Sequence, residues 1–124
     1  MIYILEHIVK YCDEIDDGIK QFGNTVQSLQ LNIHYKNSMA MCVLQIGELT
    51  THLSEDFKIS HSEVPWKAIK DMRNVAAHRY HTFGIEELFK TITEDIPNLQ
   101  VFCNILTDEY RLKEVSAPSP MRSR

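Results

Sequence analysis

MIYILEHIVKYCDEIDDGIKQF, residues 1–22, is the stretch whose reading decides the fold. Met1, Leu5, Ile8, Cys12, Ile15, Ile19 and Phe22 recur at alternating steps of four and three residues. That spacing lays them along one side of an α-helix and makes them the seam of a helix bundle. Asp13, Glu14, Asp16 and Asp17 fall on the solvent side. Gly23 follows, where a helix C-terminus favours glycine.

Beyond Gly23, Asn24 or Thr25 can cap a second helix predicted to run to about Ser54. Val26, Leu29, Ile33, Ala40, Leu44 and Leu49 form its stripe, with Met39, Met41, Val43 and Ile46 beside them. A helix this long favours a bundle over a compact α/β fold. Gly47 lies in its interior, where glycine costs about 1 kcal/mol relative to alanine. It is either a tolerated weak point or a place where another helix, from this chain or a second subunit, comes close. Residues 55–64 read as a polar connection around Phe57, and Pro65 suits the first turn of a third helix. Ile85 to Ile92 reads as a short helix. Asp95 can cap a last one from Ile96 to about Lys113, with Pro97 in its first turn and Ile96, Leu99, Cys103, Leu106 and Tyr110 as its stripe. No stretch alternates with a period of two. The predicted fold is all-α, an antiparallel bundle of four to five helices over residues 1–114. Residues 115–124 have nothing to bury and are expected to be a mobile tail.

With 124 residues, 44% apolar and 24% charged, the chain has the composition of one globular domain. A net charge of −4 and a pI near 5.8 exclude a protein that coats nucleic acid generally. The charge is uneven, because Lys67, Lys70, Arg73 and Arg79 face only Asp71 between residues 66 and 81. Such a cationic patch in an acidic body can hold a phosphate at one place. The N-terminus lacks a basic lead, and no apolar run is long enough to cross a bilayer. Cys12, Cys42 and Cys103 lie far apart with no CxxC pair. The expectation is a cytoplasmic protein with reduced, buried thiols and no membrane association.

Residues 65–80, PWKAIKDMRNVAAHRY, carry the chemistry. On a helix turning about 100° per residue, with Arg73 at zero, Ala77 falls near about 40°, Lys70 about 60°, Asn74 about 100° and His78 about 140°. Arg73, Asn74 and His78 therefore share a face, and Asn74 and His78 stand one turn apart. Ala68, Ile69, Met72, Val75 and Ala76 form a core stripe opposite. A fixed cation beside a proton-transfer group suits an anionic substrate. The plain alternative is a polar helix face bonded to neighbouring loops. Tyr80, taken alone, reads as a half-buried aromatic with a wet hydroxyl, and Trp66 as core packing. Glu48 is either solvated or the partner that orients Arg73. There is no P-loop, dinucleotide turn or GxSxG elbow. His78 and His81 form HxxH without a further ligand at metal spacing, and His7, His34, His52 and His61 are scattered. No metal or cofactor is expected.

RNVAAHRY, at residues 73–80, resembles the motif of HepT-like toxins in the HEPN superfamily. LQIGELTTHLSEDF, residues 44–57, and PWKAIKDMRN, residues 65–74, match the same pattern, and the resemblance spans roughly Ile2 to Glu114. It implies an all-α homodimer with two motifs meeting in a cleft between subunits. It implies a metal-independent ribonuclease, the toxin of a type II-like toxin–antitoxin pair, whose antitoxin is a minimal nucleotidyltransferase that adds AMP to the motif tyrosine. Carried over by position, Arg73, Asn74 and His78 would be catalytic and Tyr80 modified, with Lys70 and Arg79 as supporting, phosphate-binding cations. His78 suits general acid–base work, since an imidazole ordinarily titrates near about 6.5. The alternative is a non-catalytic helical module that holds nucleotide or substrate for a nucleotidyltransferase; such a module has no need of His78.

Overall fold

The computed structural model describes residues 1–78 and 84–116, with side chains for 1–74 and 84–113. Helices α1 (Ile2–Phe22), α2 (Val26–Leu31), α3 (Ile33–Thr50), α4 (Glu55–Ser60), α5 (Trp66–His78), α6 (Ile85–Lys90) and α7 (Ile96–Ser116) follow in order, and a π-helical turn, Thr91–Asp95, joins α6 to α7. Among the described residues there is no strand. The fold is the expected all-α bundle. Its long members are α1, α3, α5 and α7, with α3 packed between α1 and α5 and α1 also against α7.

The neighbours run antiparallel. Arg111 pairs with Glu6 at 2.8 Å, while Gln100 on the same helix donates to Asp13. Gly18 faces Met39, and the Phe22 ring lies 5.4 Å from that of Tyr35. The α1 seam holds at its centre, where Leu5, Ile8, Cys12 and Ile15 are buried, and frays at Met1 and Phe22. Gly23 ends α1 at φ 117°, a conformation that favours glycine, and its N–H donates to the Ile19 carbonyl. Burial pushes the Cys12 and Cys103 thiols up to about 12 and Cys42 to about 11, so none supplies a thiolate near neutral pH.

The single helix expected over residues 25–54 is two helices. Asn32 adopts an extended conformation, and its side-chain oxygen accepts from the N–H groups of His34 and Tyr35 at 3.0 and 3.1 Å. A local side-chain cap competes with helix continuation, and here it starts a new helix. Thr25 caps α2 through a reciprocal pair with Ser28. The break leaves Leu31 and Ile33 exposed and turns Tyr35 into the core, its hydroxyl donating to the Gly23 carbonyl at 3.0 Å.

Two more connections differ from expectation. Residues 55–60 form α4, capped by Ser54, and bury Phe57. Phe57, Trp66 and Phe102 make an aromatic cluster with His61, and the Trp66 indole donates to the carbonyls of Lys58 and His61. Asp95 caps nothing, because α6 runs into α7 through the wide turn, in which Ile96 N–H donates to the Thr91 carbonyl. Pro97 explains this turn: its ring collides with the carbonyl four residues back in a regular helix. Widening the preceding turn displaces that carbonyl. The last helix continues to Ser116, beyond the expected Lys113, and residues 117–124 of the expected tail lie outside the described residues. Among the described residues no helix is long and apolar enough to cross a membrane.

Candidate functional site

The site is built where α5 crosses α3. Gly47 is buried there because the backbone and β-carbon of Arg73 occupy the space a side chain would need. A β-carbon at Gly47 would lie against Cβ and Cγ of Arg73 and 3.2 Å from its Cα. The interior glycine is thus a close approach within one chain. With no side chain between them, the two helices bring Glu48 to the Arg73 guanidinium.

Arg73 Nε donates to Glu48 Oε1, and Arg73 Nη1 donates to Asn74 Oδ1 at 2.7 Å. A guanidinium has five N–H donors. The other three have no partner among the described residues. The Arg73 side chain is 27% exposed, so the group sits at the surface, held at Nε and Nη1. Glu48 is 42% exposed, and an ion pair this wet adds little stability. Its effect is on direction: it fixes the plane of the guanidinium. The Asn74 amide is oriented by the same logic. Only its oxygen can accept from Arg73, which leaves both amide N–H bonds for another acceptor.

The described residues bring together Arg73, Asn74 and Glu48. The backbone of His78 lies on α5 one turn beyond Asn74. The His78 side chain, and Arg79, Tyr80 and His81 entirely, lie outside the described residues. Lys70 is exposed and lines a groove that begins one turn before Arg73. Of the apolar stripe expected on α5, Ile69 is buried, Met72 half-buried and Ala68 exposed, and the side chains of Val75 and Ala76 lie outside the described residues. Ala68, Pro65 and Met72 instead line an open apolar cavity of about 330 Å³ against Leu99 and Phe102 of α7. Glu48 was legible as one of two readings, and the structure selects the partner of Arg73. The Arg73–Asn74 bond was not legible, because adjacent residues on a helix usually diverge.

A family model described as "Ribonuclease HepT-like" matches residues 5–106. A protein of Caldanaerobacter subterraneus subsp. tengcongensis with a provisional RNase name is 32% identical over 98 residues, covering 77% of this chain and 84% of its own. A protein of Thermococcus cleftensis named "Probable ribonuclease HepT" is 40% identical over 55 residues, 44% of this chain and 50% of its own. No solved structure matches.

Proposed function

Because the chain belongs to the ribonuclease HepT-like family, we propose that it is a metal-independent ribonuclease whose site is Arg73, Asn74 and His78. The observation that carries the proposal is the guanidinium of Arg73, held at Nε by Glu48 and at Nη1 by Asn74, with no partner for Nη2 among the described residues. A planar guanidinium can present paired N–H bonds to two oxygens of a phosphodiester. Cleavage needs no metal if the 2′-hydroxyl of RNA attacks the adjacent phosphorus. The new O2′–P bond forms as the P–O5′ bond breaks, leaving a 2′,3′-cyclic phosphate and a 5′-hydroxyl. The proton of the 2′-hydroxyl passes to a base, and the departing oxygen takes one from an acid. Arg73 neutralises the charge that accumulates on the phosphorane oxygens. Asn74 turns its amide N–H bonds to phosphate or to His78. One chain has one motif histidine, so a homodimer with α5 near its interface supplies acid and base from two subunits. The purified protein is expected to scatter light as a dimer and to cut RNA in EDTA to cyclic-phosphate ends. A stable monomer, or activity only with added metal, refutes this arrangement.

The same reading makes the protein the toxin of a toxin–antitoxin pair, held silent by AMP that a minimal nucleotidyltransferase transfers to Tyr80. The Tyr80 oxygen attacks the α-phosphorus of ATP, forming a phosphodiester and releasing pyrophosphate and the phenolic proton. Tyr80 lies two residues beyond His78. A phosphate added to Tyr80 would be a competitor of RNA for Arg73 or Arg79. Intact mass spectrometry after incubation with ATP and the antitoxin is expected to show added AMP on the wild type and none on Tyr80→Phe. The same gain on both proteins places the modification elsewhere.

A further inference from the structure

Beside the site lies a second basic feature that the catalytic step does not use. The C-terminal end of α3, α4 and the start of α5 enclose an open groove of about 620 Å³. Lys58, Lys67 and Lys70 stand on its walls against one carboxylate, Glu55. Among the described residues none of the three lysines forms an ion pair, whereas Lys20 pairs with Asp16, and Arg111 with Glu6 and Asp108. In a chain of net charge −4, three ammonium groups against one carboxylate around one groove form a local cationic field.

The groove lies next to the Arg73 site along both α3 and α5. Lys70 is one turn before Asn74, and Thr50 and Thr51 on its wall closely follow Gly47 and Glu48. On the α5 wheel Lys67 falls at about 120°, within the same stripe as Lys70, Asn74 and His78. From Lys67 to His78 the helix rises about 16 Å, long enough for two or three backbone phosphates of an extended strand. Between the lysines the wall is apolar: Ile59 is 72% exposed and Trp66 lies half-buried beside it. Cations that track a backbone beside apolar surface for bases are the elements of a sequence-tolerant single-strand groove. The width and mixed walls suit a flexible strand.

We propose that this groove binds the single-stranded RNA flanking the scissile phosphate, with Lys58 and Lys67 contacting phosphates outside the reacting one. The inference rests on the ribonuclease reading of the Arg73 site and adds the substrate form: unpaired RNA longer than the cleaved step. Lys58 and Lys67 are binding residues here and touch no reacting atom.

The test is binding of a fluorescent single-stranded RNA of about 12 nucleotides, a length suited to such grooves, to full-length protein carrying His78→Ala to prevent cleavage. Adding Lys58→Gln and Lys67→Gln is expected to weaken binding about tenfold in low salt and to reduce the slope of log affinity against log salt by about 1.4, two phosphates at about 0.7 each. The paired Lys→Arg changes are expected to restore both. Unchanged affinity and slope in the glutamine variant overturn the groove. If the wild type still cuts RNA, the ribonuclease reading survives that loss; a wild type that neither binds nor cuts RNA overturns both. Normal RNA binding with lost binding of poly-glutamate would assign the groove to an acidic protein and also overturn the proposal.

Discussion

Arg73→Lys is expected to lose about a hundred- to a thousandfold in RNA cleavage, nearly as much as Arg73→Ala. Lysine keeps the charge but has no Nε–H for Glu48 and no fork for paired phosphate oxygens. Its ammonium would sit untethered where the guanidinium is tied at two points. His78→Ala is expected to lose about a hundred- to ten-thousandfold, the usual range for a general acid or base. Residues that act together do not lose rate additively, so the double variant should fall little below the worse single one. The fold should survive each change. Arg73→Ala retains the β-carbon that packs on Gly47, and the half-solvated pair with Glu48 contributes at most about 1 kcal/mol. Cleavage rates with circular dichroism and a thermal melt decide the matter. Full activity in a folded Arg73→Lys protein would show that charge alone suffices and would sink the fork.

Gly47→Ala is expected to be damaging although alanine is the better helix former. The gain in propensity is about 1 kcal/mol. Against it, the new methyl meets Cβ and Cγ of Arg73 and comes within 3.2 Å of its backbone. Backbone cannot turn aside as a side-chain tip can, so α5 must move away from α3. Overpacking of this kind costs about 1–3 kcal/mol, enough to cancel or reverse the gain. The larger effect falls on chemistry. Movement of α5 shifts Arg73 relative to Glu48, and a misplacement of about 1 Å can cost about a hundredfold in rate. The expected variant is folded, no more stable than the wild type and about a hundredfold less active. A variant that is stabilised and fully active would show that α3 and α5 tolerate more space.

The α1 seam and the α7 stripe were legible because side chains at steps of three and four bury one face whatever packs on them. Leu5, Ile8, Cys12 and Ile15, and likewise Ile96, Leu99, Cys103 and Leu106, are buried as that pattern requires, whereas Tyr110, the last residue of the α7 stripe, is exposed. The break at Asn32 was not, because periodicity reports a face and is blind to a competing cap. The hydrophobic residues on both sides of Asn32 still suggest one helix, although Ile33 ends exposed and Tyr35 buried. Asp95 misled for the converse reason. It is a good capping type before a proline, but the chain met the proline by widening a turn. At the site, shared-face geometry put Arg73 and Asn74 on one side of the helix without showing their bond, and Gly47 offered a close approach as one of two readings. Only packing could say that the approaching residue is Arg73.

The wide turn at Thr91–Asp95 also bears on how this chain tolerates change in length. A turn closed five residues apart holds one more residue than an α-turn. It can be viewed as a one-residue insertion absorbed locally, with α6 and α7 keeping their rotational phase. Removing one residue there would leave the phase of Leu99, Cys103 and Leu106 unchanged, yet would return the carbonyl facing Pro97 to a colliding position, a penalty of about 3 kcal/mol. The extra residue and the proline are therefore energetically coupled: each is tolerated because the other is present.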